Sequence, residues 1–143
     1  MKYSGKYYQG KYTVKNPEKY RGDVSNVIYR SSWELRFMIW CDTNPKIKQF
    51  SSEETIIPYV SPKDGRPHRY FVDFKIVTDK NKTFLVEIKP KAQCRPPRNG
   101  KNYLTEGLTY MINQSKWSYA KQYAEDRNWS FIVLTEDDLG IPK

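Results

Sequence analysis

The stretch FVDFKIVTDKNKTFLVEIKPK, residues 71–91, reads as two apolar strands joined by a polar turn, and it places Asp73, Glu87 and Lys89 inside those strands. Val72, Phe74 and Ile76 alternate onto one face of the first strand, and Phe84, Val86 and Ile88 do so in the second. That alternation assigns the core side and turns Asp73, Glu87 and Lys89 the other way. With TDKNK as the hairpin loop and Val77 opposite Thr83, Lys75 falls opposite Leu85 and Asp73 directly opposite Glu87. Their Cβ atoms are then about 5 Å apart, a separation at which like charges destabilise a sheet. Two readings follow. In one, this is a solvated face on which Lys75 and Lys89 neutralise the two acids. In the other, the pair binds a cation: two carboxylates, the Ile88 carbonyl, and water and phosphate in the remaining positions describe a Mg²⁺ site of the kind used on phosphodiesters, with Mn²⁺ able to substitute. Lys89, two residues along on the same face, is then placed to orient or activate a water and to stabilise charge on the phosphate.

Outward from this hairpin, periodicity supplies the remaining elements. Ser31 to about Asp42 (SSWELRFMIWCD) has apolar residues at 33, 37 and 40, with 35, 38 and 39 filling in, which predicts a largely buried helix ended by Asn44-Pro45. Glu54–Val60 is a strand whose Pro58 argues for an edge or a bulge. Strands follow at about 69–77 and 83–89. Residues 103–112 are ambiguous, Ser115 to Arg127 carries a helical stripe of Trp117, Ala120 and Ala124, and WSFIVL, 129–134, reads as a buried strand. The order α-β-β-β-α-β implies an α/β fold, a mixed sheet with helices against it.

Charge locates the partner. The chain has 143 residues, with 25 Lys and Arg against 16 Asp and Glu, a formal net charge of +9 that points to a polyanion, nucleic acid first. The excess lies in two places: +5 over residues 1–30, where Tyr3, Tyr7, Tyr8 and Tyr12 alternate with Lys2, Lys6, Lys11 and Lys15, and +4 over residues 91–101. The first is either a phosphate-contacting arm or a solubilising tail. The second, KAQCRPPRNGK, follows Lys89 at once and offers Lys91, Arg95, Arg98 and Lys101 to a DNA backbone. Residues 1–28 are expected to form a basic arm and residues 29–143 one domain. A single histidine, His68, excludes zinc hydrolases and leaves any hydrolysis to carboxylates and lysine. Cys41 and Cys94 are expected to be reduced thiols, and the sequence shows neither a membrane span nor a signal peptide, so a soluble, cytoplasmic protein is expected.

Asp73, thirteen intervening residues and then Glu87-Ile88-Lys89 resembles the PD-(D/E)xK nuclease signature, and the predicted element order is that superfamily's restriction-endonuclease-like core. YRSSWE, IPYV, RYFVDF, VEIKPK, SKW and LTEDDL, in that order across nearly the whole chain, are similar to the head completion nucleases of tailed bacteriophages, relatives of transposon endonuclease subunits. The resemblance implies a metal-dependent DNA endonuclease acting in virion assembly, with double-stranded DNA and phage head or portal proteins as partners, in the host cytoplasm or on the virion. It implies metal binding by Asp73 and Glu87, water activation by Lys89, and completion of the site by Glu34 from the first core helix as a further metal or catalytic ligand. Val72 stands where the signature has proline. The residues themselves leave Glu34 open, since Ser31-x-x-Glu34 is also a capping box. Two other classes remain beside the nuclease: a DNA-binding module with a decayed site, and a structural head-completion component. Lys116 and Lys121 are expected to face solvent, and Glu136, Asp137 and Asp138 to form a solvated acidic turn.

Overall fold

A computed structural model of the chain describes residues 9–140; Lys2, Tyr3, Lys6, Tyr7 and Tyr8 of the expected arm lie outside them. The elements run β1 (Gly10–Lys11), β2 (Ile28–Tyr29), α1 (Ser32–Thr43), β3 (Ile47–Ser52), β4 (Ile56–Val60), β5 (Pro67–Phe71), β6 (Phe74–Thr78), β7 (Thr83–Ile88), α2 (Tyr103–Asp126), β8 (Ser130–Leu134) and α3 (Glu136–Leu139). A four-stranded sheet in the order β3-β6-β7-β8 is antiparallel except for the parallel pair β7–β8, which α2 connects as a crossover. α1 precedes it, so the α-β-β-β-α-β order holds and the molecule has the restriction-endonuclease-like mixed sheet flanked by helices.

The first strand of that sheet is not the one expected. Ile47–Ser52 pairs with β6, whereas Ile56–Val60 leaves the sheet and pairs with β5 in a separate hairpin, Pro58 opposite Arg69. The expected strand at 69–77 is in fact two, broken at Val72 and Asp73. The break also separates faces. Phe74, Ile76, Val86 and Ile88 pack against α1, while Val72 joins Leu85, Ile57, Tyr59 and Tyr70 in a second core beneath α2, closed by Ala120 and Ala124. The face that carries Glu87 is therefore a second interior and not a solvated surface.

α1 is capped by Ser31, whose backbone is extended and whose hydroxyl accepts the Glu34 amide at 3.1 Å. Trp33, Phe37, Met38 and Cys41 are buried, but Ile39 and Trp40 are exposed, so the helix is half-buried and not buried all round. α2 is longer than the stripe at 117–124 indicated. The described residues before α1 pack into the domain: Val14, Tyr20 and Val27 belong to the first core, and Tyr20 bridges Phe50 of β3. Both cysteines are free thiols, Cys41 deeply buried. No helix among the described residues is long and apolar enough to cross a membrane.

Candidate active site

The hairpin register is the one the sequence dictates. Val77 pairs with Thr83, Lys75 with Leu85 and Phe74 with Val86, after which the ladder stops. Asp73 sits just past that point, and its side chain takes over a ladder bond: Oδ2 accepts the Ile88 amide at 2.8 Å. The Asp73 carbonyl in turn accepts the Glu53 amide at 3.0 Å, so the aspartate is held from both neighbouring strands. Glu53 itself has a left-handed φ of 55°, an unfavourable conformation for glutamate that marks the end of β3 beside the site. Its carboxylate pairs with Arg30.

Glu87, at the end of the α2 face of β7, accepts the Tyr70 hydroxyl on Oε1 at 2.7 Å and lies 3.5 Å from Lys89 Nζ through Oε2. Glu34 enters from the first turn of α1. Glu34, Asp73 and Glu87 are 3%, 8% and 4% exposed, which removes the solvated-face reading for Asp73 and Glu87. Burial, then the Glu87 charge, then the Glu34 charge push the Asp73 carboxyl well above its usual range, against the Ile88 amide and Lys89, which pull it down. Burial likewise raises Glu34, opposed by the Arg30 amide and guanidinium. Its capping box is only half made: Ser31 caps the helix, but the return bond reaches the Arg30 amide at a long 3.4 Å, one residue before the cap.

These groups line one open basin of about 280 Å³, together with Arg30, Glu53, Lys89 and Lys116. The donor chemistry suits a hard divalent cation. Asp73 Oδ1 has no hydrogen-bond donor among the described residues, and Glu87 Oε2 has Lys89 alone at ion-pair distance. Among the described residues no group of three or more His, Cys, Asp and Glu side chains forms a ready-made cage. Two carboxylates leaving most positions to water and phosphate is the Mg²⁺ pattern, whereas Ca²⁺ draws more of its ligands from the protein.

The other predicted residues are more dispersed. Lys91 is tied to the acidic end, its amide to Glu136 at 2.7 Å and its ammonium to Asp137 at 3.0 Å, so those acids form α3 and anchor the basic turn. Arg95, Arg98 and Lys101 are exposed, Arg95 beside the first turn of α2. Lys121 faces solvent as expected, but Lys116 is half-buried in the basin. Sequence reading missed Arg30, Glu53, Tyr70 and Lys116 as site residues. Only Lys116 carried a signal, being the one basic position within the buried stripe of α2.

Comparison with known proteins fits this geometry. The chain is 39% identical to the head completion nuclease of Enterobacteria phage T4 over 140 residues, 92% of this chain and 93% of the relative. No solved structure matches it. Residues 44–136, from the end of α1 through the parallel pair β7–β8 and the start of α3, match the family described as TnsA-like endonuclease N terminal, and the chain belongs to that endonuclease family.

Proposed function

We propose that this protein is a Mg²⁺-dependent DNA endonuclease that hydrolyses phosphodiester bonds of double-stranded DNA during completion of a phage head. What carries the reading is the Asp73–Glu87 pair, both buried where the hairpin ladder ends and close enough for each charge to be felt by the other, with Lys89 beside Glu87. A fold has no structural need for such a pair, since like charges held together in the interior oppose folding. Asp73, Glu87 and the Ile88 carbonyl would hold the metal, with Glu34 on the remaining side. When bound, the ion supplies Lewis-acid polarisation of the phosphate and a water of lowered pKa. Tyr70 fixes the Glu87 carboxylate, the Ile88 amide fixes Asp73, and Lys89 orients the attacking water and faces the charge that grows on the phosphate. Arg95, Arg98 and Lys101, with Lys91 bracing their turn, grip the DNA backbone without reading bases. Head or portal proteins are the protein partners, and the site of action is the host cytoplasm or the virion.

Incubation of the protein with supercoiled plasmid in Mg²⁺, in Mn²⁺ and in EDTA tests this. Nicked or linear product in both metals and none in EDTA is expected. Plasmid left intact in every metal condition would leave a DNA-binding or structural protein in its place.

A further inference from the structure

Lys121, on the outer face of α2, is exposed as a helix-surface lysine should be. Lys116 is different. It is half-buried in the wall of the basin that holds Asp73, Glu87 and Lys89. Its ammonium lies 5.8 Å from the centre of the Tyr59 ring and 5.6 Å from that of Tyr70, and among the described residues it has no hydrogen-bond acceptor or carboxylate at ion-pair distance. The rings hold a cation by their π faces without using its three N–H donors. Tyr70 is itself fixed through its hydroxyl to Glu87 Oε1, so the ring beneath Lys116 is registered to the metal-binding carboxylate. Burial, and then the Lys89 charge, lower the proton affinity of Lys116, while Glu87 and Asp73 raise it. The chain thus keeps a partly desolvated cation whose donors are unspent on the described residues, in the wall of a basin of buried acids.

We infer that Lys116 is a second catalytic cation, contacting a non-bridging oxygen of the scissile phosphodiester from the α2 wall while Lys89 serves the water. The inference rests on the nuclease reading. An ammonium with three free donors matches a phosphate in both charge and acceptors, and it becomes more valuable as negative charge builds in the transition state. The merely structural alternative makes Lys116 a distant counter-charge for Asp73 and Glu87. That role would end once a divalent ion neutralised the acids, whereas a phosphate contact would then be needed most.

Lys116→Met keeps the aliphatic stem against the two tyrosines and removes the charge; Lys116→Arg restores the charge. Single-turnover cleavage of plasmid at saturating protein and Mg²⁺, duplex affinity and melting temperature are measured for each. Lys116→Met should lower the cleavage rate about 100-fold with melting temperature unchanged and affinity altered by less than about threefold. Lys116→Arg should recover about tenfold of that loss. Should Lys116→Met not fold, Lys116→Gln makes the same comparison. A Lys116→Met protein cutting within about threefold of its parent overturns the inference and leaves the nuclease reading standing. A parent that cuts in no metal overturns both.

Discussion

Asp42 and Asp73 are both aspartates withdrawn from water, and they are treated in opposite ways. Asp42, at the end of α1, receives the Tyr12 hydroxyl at 2.6 Å, the Lys15 amide at 2.7 Å, the Asn16 amide at 3.0 Å and the Asn16 side chain at 3.2 Å. Lys19 caps the adjacent carbonyls of Cys41, Asp42 and Asn44. Burial pushes the Asp42 carboxyl up, but these donors outweigh it and the net shift is downward. Asp73 receives one amide, faces two other acids, and shifts upward. A buried acid that the fold uses for itself is saturated with donors. A buried acid left short of donors and crowded by its own kind is being kept for something that is not part of the chain.

The largest break in this contrast comes from Asp73→Asn or Glu87→Gln. Either should cut plasmid cleavage at least about 1000-fold, about 4 kcal/mol of transition-state stabilisation, while the melting temperature in EDTA stays level or rises. A variant that cleaves like the parent removes the metal-site assignment. Next in size is Asp42→Ala, which strands the Tyr12 hydroxyl and two backbone amides and should destabilise the fold by about 3 kcal/mol in denaturant titrations. Below its new melting point the variant should cleave at the parental rate; a lost rate in a folded protein would mean that the two aspartates are coupled.

The smallest effect is on pH, and it sharpens the comparison most. The folded carboxyl of Asp73 is raised, so its contribution to stability is present below the ordinary aspartate range, about pH 3.9, and is lost as pH rises through the higher folded value. Asp42 is lowered, so its contribution is present above that range and is lost as pH falls through the lower folded value. In EDTA, stabilities of the parent, Asp73→Asn and Asp42→Asn should therefore converge in acid. Towards neutrality they should separate in opposite directions, Asp73→Asn above the parent and Asp42→Asn below, by about 1.4 kcal/mol for each tenfold difference in proton affinity between the folded and unfolded chain. Because Asp73 titrates together with Glu87, the upper curve reports the pair. Parallel curves would mean that folding perturbs the two aspartates alike.

The site's centre was legible and its rim was not. Residues 71–91 fix register because a short polar turn joins two alternating strands, so the ladder from Val77–Thr83 to Phe74–Val86, with Asp73 and Glu87 just past its end, follows from counting. Strand Ile47–Ser52 was missed for a physical reason: a bulge between Ile47 and Gln49 shifts the pairing, and its buried apolar residues, Ile47 and Phe50, stand three apart, a helical spacing. The first half of α2 hid itself because Leu104, Leu108 and Met111 are exposed, which erases the amphipathic signal. Val72 was set on the wrong face because alternation does not carry across a break in the strand. Arg30, Glu53, Tyr70 and Lys116 come to the basin from four separate stretches of the chain, and only tertiary structure brings such residues together.

The Tyr20–Phe50 bridge has a consequence of a different kind. β3 is an outer strand of the sheet, and an outer strand offers a row of open amides and carbonyls on which another chain can add. The segment before α1 lies along that row: Tyr20 bridges Phe50, the Arg21 amide donates to the Phe50 carbonyl at 2.9 Å, and the Ser52 amide donates to the Tyr20 hydroxyl at 3.3 Å. Asp42 and Lys19 then clamp the same segment to α1. Residues that charge alone would assign to a polyanion thus also act as a guard rail, keeping one border of the sheet from templating strand addition and the aggregation that follows from it.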